Sequence, residues 1–202
     1  MYSTAGSSDE WDYIENKDGT ITLIHASDTL KDIITIPNSI NGKVVSGLGA
    51  NLFSKNNSIT GIIIPVTVTT IGSGVFFECM NLKTVIFEGS APSIETDAFG
   101  TEIPAFYPDD DDTWTEDMLN NYGGKVQWIS YNLSDIDENI VWVLSESGKL
   151  FILGQGEMPK YSAYKAPPWY KYRDKIKTGW ISEGITLIQR TFYSCQKMTE
   201  VY

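Results

Sequence analysis

Residues 71–89 read IGSGVFFECMNLKTVIFEG. Ile71-Gly72 is followed four residues after the glycine by Phe76, three later by Cys79, three later by Leu82, and at once by the strand-like TVIF. Neither a helical period nor simple alternation produces that order, so a repeat is the natural explanation. The order recurs. Aligned on Phe76, the earlier LGANLFSKNNSI puts Leu48, Gly49, Phe53 and Ile59 where Ile71, Gly72, Phe76 and Leu82 stand. IETDAFG supplies Ile94 and Phe99 with the same step before a long insertion. Near the end, ITLIQRTFYSCQKM repeats Phe192, Cys195 and Met198, with one residue fewer between Ile188 and Phe192. Ile59 to Leu82 is 23 residues and Ile176 to Met198 is 22, inside the roughly 20–29 residue period of short solenoid repeats.

Each repeat has a physical reading. ITGIIIP (59–65) and LKTVIFE (82–88) are β-branched and aromatic, which predicts short strands stacked side by side. Pro37 and Pro65 lack a backbone donor and belong at strand ends. The apolar residues after each strand, such as Val68, Ile71 and Phe76, point between the strand and the returning backbone. One repeat cannot bury them, but stacked copies form a continuous core.

The order I-P…V-T-x-I-G-x-x-x-F-x-x-C-x-x-L resembles the BspA-like, or treponemal-type, leucine-rich repeat of bacterial surface proteins. The resemblance covers 31–58, with an extra turn at Asn41–Lys43, then 59–81, 82 to about 132 with the insertion, and 176–198. The second and fourth copies match specifically; the first and third are looser. In the fourth, Gly179 replaces a strand aliphatic and Gln189 replaces the glycine. The resemblance implies a β-rich, right-handed leucine-rich repeat solenoid of short parallel strands with irregular or 3-10 returns, β-hairpin opening segments and a short capping helix. It places the cap at TWTEDMLNNYG, where Thr113 would cap a helix and Trp114, Met118 and Tyr122 recur at four-residue steps.

WDYIENKDGTITLI (11–24) and WVLSESGKLFIL (142–153) each pair two apolar runs across a Gly-containing turn, a hairpin pattern. Two modules follow, 1–132 and 133–202, with the polar, acidic SYNLSDIDEN (130–139) as the junction. KMTEVY begins a further repeat, which leads to the expectation that the chain is cut from a longer protein.

At 202 residues and 42% hydrophobic, the chain can build one or two cores. Its net charge of −11 disfavours nucleic acid and anionic membrane surfaces. No run approaches the roughly 20 apolar residues of a membrane span. MYSTAGSSDEW lacks the apolar centre of a secretion signal; either the protein is not exported or a signal has been removed, and the resemblance favours removal and an extracellular or cell-surface location.

Cys79 and Cys195 hold the same repeat position, under the turn, where an Asn or Cys side chain hydrogen-bonds backbone groups. Two buried free thiols are expected, with a disulfide as the alternative. No catalytic constellation emerges. His25 is the only histidine, and no Cys or Ser is held beside it by a motif; a structural role is the expectation. GQG (154–156) and GSG (72–74) lack the strand and helix context of a phosphate loop, and no cofactor or metal motif is present. Asp109 to Asp112 invite calcium, but the spacing is not that of an EF-hand, and a solvated loop is the expected reading beside it.

Two surfaces are candidates for binding. In each strand the residue between two core-facing positions should face solvent. In register these are Thr35, Ile63, Ile86 and Trp180, an apolar stripe that either binds a partner or is covered within the molecule. The segment 158–176 carries Tyr161, Tyr164, Trp169, Tyr170 and Tyr172 among lysines; it either covers the second hairpin or binds sugar rings or an anionic partner. The function expected is a non-catalytic, cell-surface or secreted, adhesion-type protein-interaction module with a host or bacterial protein partner and no membrane insertion. The alternative is a carbohydrate-binding or wall-associated spacer of a larger secreted protein.

Overall fold

The computed structural model describes residues 5–137, 140–145, 147–154, 156–162, 164–182, 185–186 and 188–202. It divides into two compact units, Met1–Ile129 and Ser130–Tyr202. The acidic junction read at 130–139 is strand through residue 137; Glu138 and Asn139 lie outside the described residues.

In the first unit, β1 (Ala5–Ser7), β2 (Trp11–Glu15) and β3 (Ile21–Ala26) are antiparallel, and β2 and β3 form the expected hairpin. Its turn needs Gly19, whose φ of 85° is open only to residues without a Cβ penalty. The chain then winds as a solenoid through β4 (Asp32–Thr35), β5 (Ser39–Ile40), β6 (Lys43–Leu48), β7 (Ile59–Ile64), β8 (Thr70–Ile71), β9 (Thr84–Phe87), β10 (Ser93–Ile94) and β11 (Glu102–Pro108). Two stacks of strands result. One runs β1-β2-β3-β6-β8-β10, and the other runs β4-β7-β9-β11, parallel throughout. A third side is stitched by backbone hydrogen bonds without regular strand: Asn51, Phe53 and Lys55 donate to Ser73, Val75 and Phe77, and Phe76 donates to Ala98, at 2.8–3.0 Å. Each turn is therefore bonded to the next on three sides.

The repeated phenylalanines form the centre of this core. Phe53 and Phe76 stack at 6.1 Å with rings 5° apart, and Phe76 meets Phe99 at 4.9 Å. Trp11 closes one end, edge-on to Phe53 at 6.0 Å. Gly72 is required by close approach, because a Cβ there would lie 2.8 Å from the Ala50 backbone nitrogen.

The other end is closed by rings rather than by the expected amphipathic helix. Only Glu116–Met118 is helical, as one 3-10 turn. Local hydrogen bonds explain the difference: Asp111 Oδ1 accepts from the Thr113 backbone N–H, so the chain turns where a helix would begin, and Tyr122 and Gly123 take positive φ of 43° and 86° where it would continue. Thr113 does not cap this turn; its Oγ1 accepts from the Ala91 backbone N–H. Two of the three expected cap side chains, Trp114 and Tyr122, are nevertheless engaged, whereas Met118 contributes only its carbonyl. Trp114 packs on Phe87 at 4.9 Å and donates to the Gly89 carbonyl, while Tyr122 donates to Met118 O. Trp128, on β12 (Lys125–Asp137), joins them through Trp114 and Phe99 and was not foreseen.

The second unit contains the later part of β12, then β13 (Ile140–Ser145), β14 (Lys149–Gly154), β15 (Gly156–Glu157), β16 (Thr178–Ile181), β17 (Ile185–Thr186) and β18 (Glu200–Val201). β13 and β14 form the second expected hairpin, and β16 and β18 add to it in parallel. A separate core gathers Trp142, Leu150, Ile152, Met158, Trp169 and Ile176. Among the described residues no helix is long and apolar enough to cross a membrane.

Candidate interaction surface

The expected stripe is in register but not open. Thr35 pairs with Ile63, Ile63 with Ile86, and Ile86 with Phe106. Thr35 is exposed, whereas Ile63 and Ile86 are each 2% exposed, which corrects their expected solvent-facing placement. The physical reason lies in the strands themselves. Gly61 to Ile64 and Thr84 to Phe87 are buried at every position, as strands covered on both faces are, and such strands read as continuous apolar runs rather than alternating ones. Trp180 belongs to the second unit, where it is half-buried beside Phe151 at 6.3 Å.

The aromatic segment divides in a similar way. Trp169 is 1% exposed and donates to the Thr191 carbonyl at 2.8 Å, with Trp142 and Tyr161 edge-on to it. Tyr172 also packs on Trp142. Tyr170 lies between Tyr193, stacked at 6.3 Å, and the Arg173 guanidinium at 4.6 Å. Tyr164 is fully exposed. The segment is thus mainly a lid built into the second core, the structural alternative in its sequence reading.

The thiols follow the repeat register. Both are free; Cys79 is buried and Cys195 half-buried. Cys79 Sγ donates to the Phe53 carbonyl one turn away at 2.9 Å, and burial pushes its pKa up to about 11. Burial also raises Cys195. Asn56 stands at the Cys79 position of the first copy and likewise satisfies backbone groups, its Oδ1 accepting from the Ser58 and Ile59 N–H groups. Of the aspartates, Asp111 is committed to Thr113 and Ser90, and those hydrogen bonds hold its carboxyl below the ordinary range. Among the described residues no group of three or more His, Cys, Asp or Glu side chains is placed to hold a metal ion.

Two features of the first unit's third side were not legible in the sequence. One is a groove of about 380 Å³ lined by His25 and Asp28 and by residues 51–58. Its lining includes the apolar pair Leu52 and Phe53, whose side chains belong to the core, and is otherwise mostly polar. Asn57 Oδ1 accepts from the Met80 backbone N–H of the next turn. The other feature is on that next turn, where Phe77 and Met80 are 42% and 70% exposed. The repeat puts them there: Phe77 directly follows the buried ring of Phe76, and Met80 directly follows the buried Cys79.

The family described as the BspA type leucine rich repeat region matches residues 27–103 in six copies. No curated protein matches the chain. Among solved structures, it is similar to a leucine rich cell surface protein from Faecalibacterium prausnitzii, at 15% identity over 100% of this chain and 76% of that one, with a TM-score of 0.41. A leucine-rich repeat protein from Bacteroides capillosus gives 19% identity, 61% and 98% coverage, and a TM-score of 0.38. The T. pallidum leucine rich repeat protein gives 11%, 98% and 81%, and 0.38. Residues 27–103, whose turns carry the stacked phenylalanines and the Cys79 thiol, are thus the part of the chain that matches the BspA type leucine rich repeat.

Proposed function

We propose that the chain is a non-catalytic protein-interaction module of a bacterial surface or secreted protein, acting in adhesion to a protein partner. The observation that carries this reading is the pair Phe77 and Met80, apolar side chains held open on a backbone bonded to its neighbours on three sides. Rigid presentation lowers the ordering cost of association, and large exposed apolar side chains in one place favour an interaction site. BspA-type repeats occur in bacterial surface proteins, which supports the location. Solenoids in general serve as extended binding surfaces, which supports an interaction role over catalysis.

The test is capture on a panel of immobilised extracellular-matrix and bacterial surface proteins. Phe77→Asp with Met80→Asp should abolish capture by whichever protein binds, with an unchanged thermal melt because both side chains are exposed. Capture that survives the double change places the partner elsewhere.

A further inference from the structure

The groove beside His25 has a chemistry of its own, and the side chains of Phe77 and Met80 are not in its lining. Its rim carries two side-chain amides whose orientation is dictated by the fold. The Asn56 Oδ1 is taken by the Ser58 and Ile59 backbone N–H groups and the Asn57 Oδ1 by that of Met80. An amide presents its oxygen on one side and its NH2 on the other, so both NH2 groups are left over, without a protein partner among the described residues. Asp28 brings acceptors, Lys55 and His25 bring further polar groups, and Ser54 and Ser58 bring hydroxyls. Lys55 is within 3.8 Å of Glu78, so its charge is already shared.

Three ligand classes can be weighed against this rim. A peptide is held mainly by apolar anchors in pockets, and the groove offers none, since Leu52 and Phe53 are 7% and 2% exposed and face the core. An anionic ligand would enter against the charge of the unit. Residues 1–129 carry eighteen Asp and Glu against six Lys and Arg, a net −12. A neutral polyhydroxyl ligand suits both sides of the rim, because each hydroxyl can accept from an amide NH2 and donate to a carboxylate. The volume of about 380 Å³ lies near the lower end of the roughly 300–1,000 Å³ of small-molecule sites.

We infer that this groove is a glycan site, taking a short stretch of neutral carbohydrate through the free amide groups of Asn56 and Asn57 and the carboxylate of Asp28. The two asparagines are the discriminating positions. Asp in place of either keeps an oxygen for the backbone N–H groups, so the turn is retained, while the outward NH2 donor becomes an acceptor.

The experiment titrates the full chain with maltotriose, triacetylchitotriose, mannotriose and trigalacturonate, following amide resonances of residues 25–28 and 54–58. Saturable shifts are expected with at least one neutral trisaccharide, at a Kd on the order of 1 mM. The double variant Asn56→Asp, Asn57→Asp should weaken binding about tenfold or more, the loss of about 1.4 kcal/mol, with an unchanged melt. Should that variant fail to fold, Asp28→Asn, an exposed change, should weaken it in the same direction. The Phe77→Asp variant, at a residue that neither lines the groove nor bonds its amides, should bind the sugar as the native chain does, which separates this site from the protein-binding one. Absence of saturable binding by all three neutral sugars, preference for trigalacturonate, or retention of affinity within about twofold in the folded asparagine or aspartate variants overturns the inference.

Discussion

The turn around Phe76 and the turn around Phe192 share two left-handed backbone positions and differ in their surroundings. Two residues before the phenylalanine, Gly74 and Arg190 have φ of 63° and 56°; two residues after it, Glu78 and Ser194 have 55° and 61°. Asn51 and Lys55 repeat the pair around Phe53. Four of these five non-glycine residues are not asparagine, so the conformation is imposed against local preference. Yet Phe76 is 1% exposed, between Phe53 and Phe99, while Phe192 is half-buried, and Cys79 is buried where Cys195 is half-buried. The comparison teaches that the repeat motif sets the path of its own turn, whereas burial comes from the neighbouring turns. That is the expected behaviour of a structure whose units interact only with those before and after them.

The most direct way to break the comparison is to truncate both rings. Phe76→Ala should cost about 3–5 kcal/mol, the usual loss for a fully packed phenylalanine. Phe192→Ala should cost only about 1 kcal/mol. Urea melts of the two variants measure the difference, and equal losses would show that the two turns are packed alike.

Gly72 and Gln189 sharpen it at the next position. Gly72→Ala drives a Cβ to 2.8 Å from the Ala50 nitrogen, and overpacking of this kind costs about 1–3 kcal/mol. Gln189 occupies the corresponding place in the last copy and is exposed, so Gln189→Gly should leave the melt nearly unchanged.

Thr84 tests the second face of the sheet. It is 3% exposed, and its Oγ1 has no hydrogen-bond partner. Thr84→Val keeps the shape and removes an unsatisfied group, so it should stabilise by about 1 kcal/mol. Destabilisation would mean that the hydroxyl is hydrated and that this face admits water.

The thiols give a chemical version of the same contrast. At pH 8, a thiol reagent should label Cys195 well ahead of Cys79, whose pKa of about 11 and burial both slow it. The raised value also has a stability consequence. The fold retains the Cys79 proton more tightly than an ordinary thiol of pKa 9.0 does, so this stabilisation is complete below pH 9 and is lost as pH rises from 9 through about 11. Cys79→Ala should flatten that decline, and a native chain already flat across the interval would contradict the assignment.

The smallest expected effect belongs to Glu88, half-buried just after β9 and raised above the ordinary carboxylate range by burial. The fold favours its protonated form, so its contribution is present at low pH and fades as pH rises through its folded pKa. Glu88→Gln should raise the melting temperature slightly at pH 7, and the gain should vanish below the carboxylate range. A gain that persists at low pH would point to packing instead of charge.

The repeat and both hairpins were legible because they are written in local spacing: a glycine where backbones close, a phenylalanine in the core, a Cys or Asn under the turn. The capping segment was legible only in its side chains. Trp114 and Tyr122 were expected at the core's end and are there, but Asp111 and Gly123 hold the chain out of a helix. The candidate sites were less accessible to this kind of reading. Ile63 and Ile86 were placed outward by alternation, which is sound for a strand with one wet face. The runs GIII and TVIF carried the opposite signal, yet no run of residues states what covers a face.

What the sequence alone determined is therefore the one-dimensional part of the protein: the repeat period, the inward column of rings and the turn chemistry, each set within about 25 residues of chain. Tertiary structure decided what lies on the outside. The burial of Ile63 and Ile86, the enclosure of Trp169, and the meeting of His25 and Asp28 with residues 51–58 all join residues of different turns. The physical reason is that a side chain's direction follows from its own backbone, whereas its exposure depends on every other segment that could cover it.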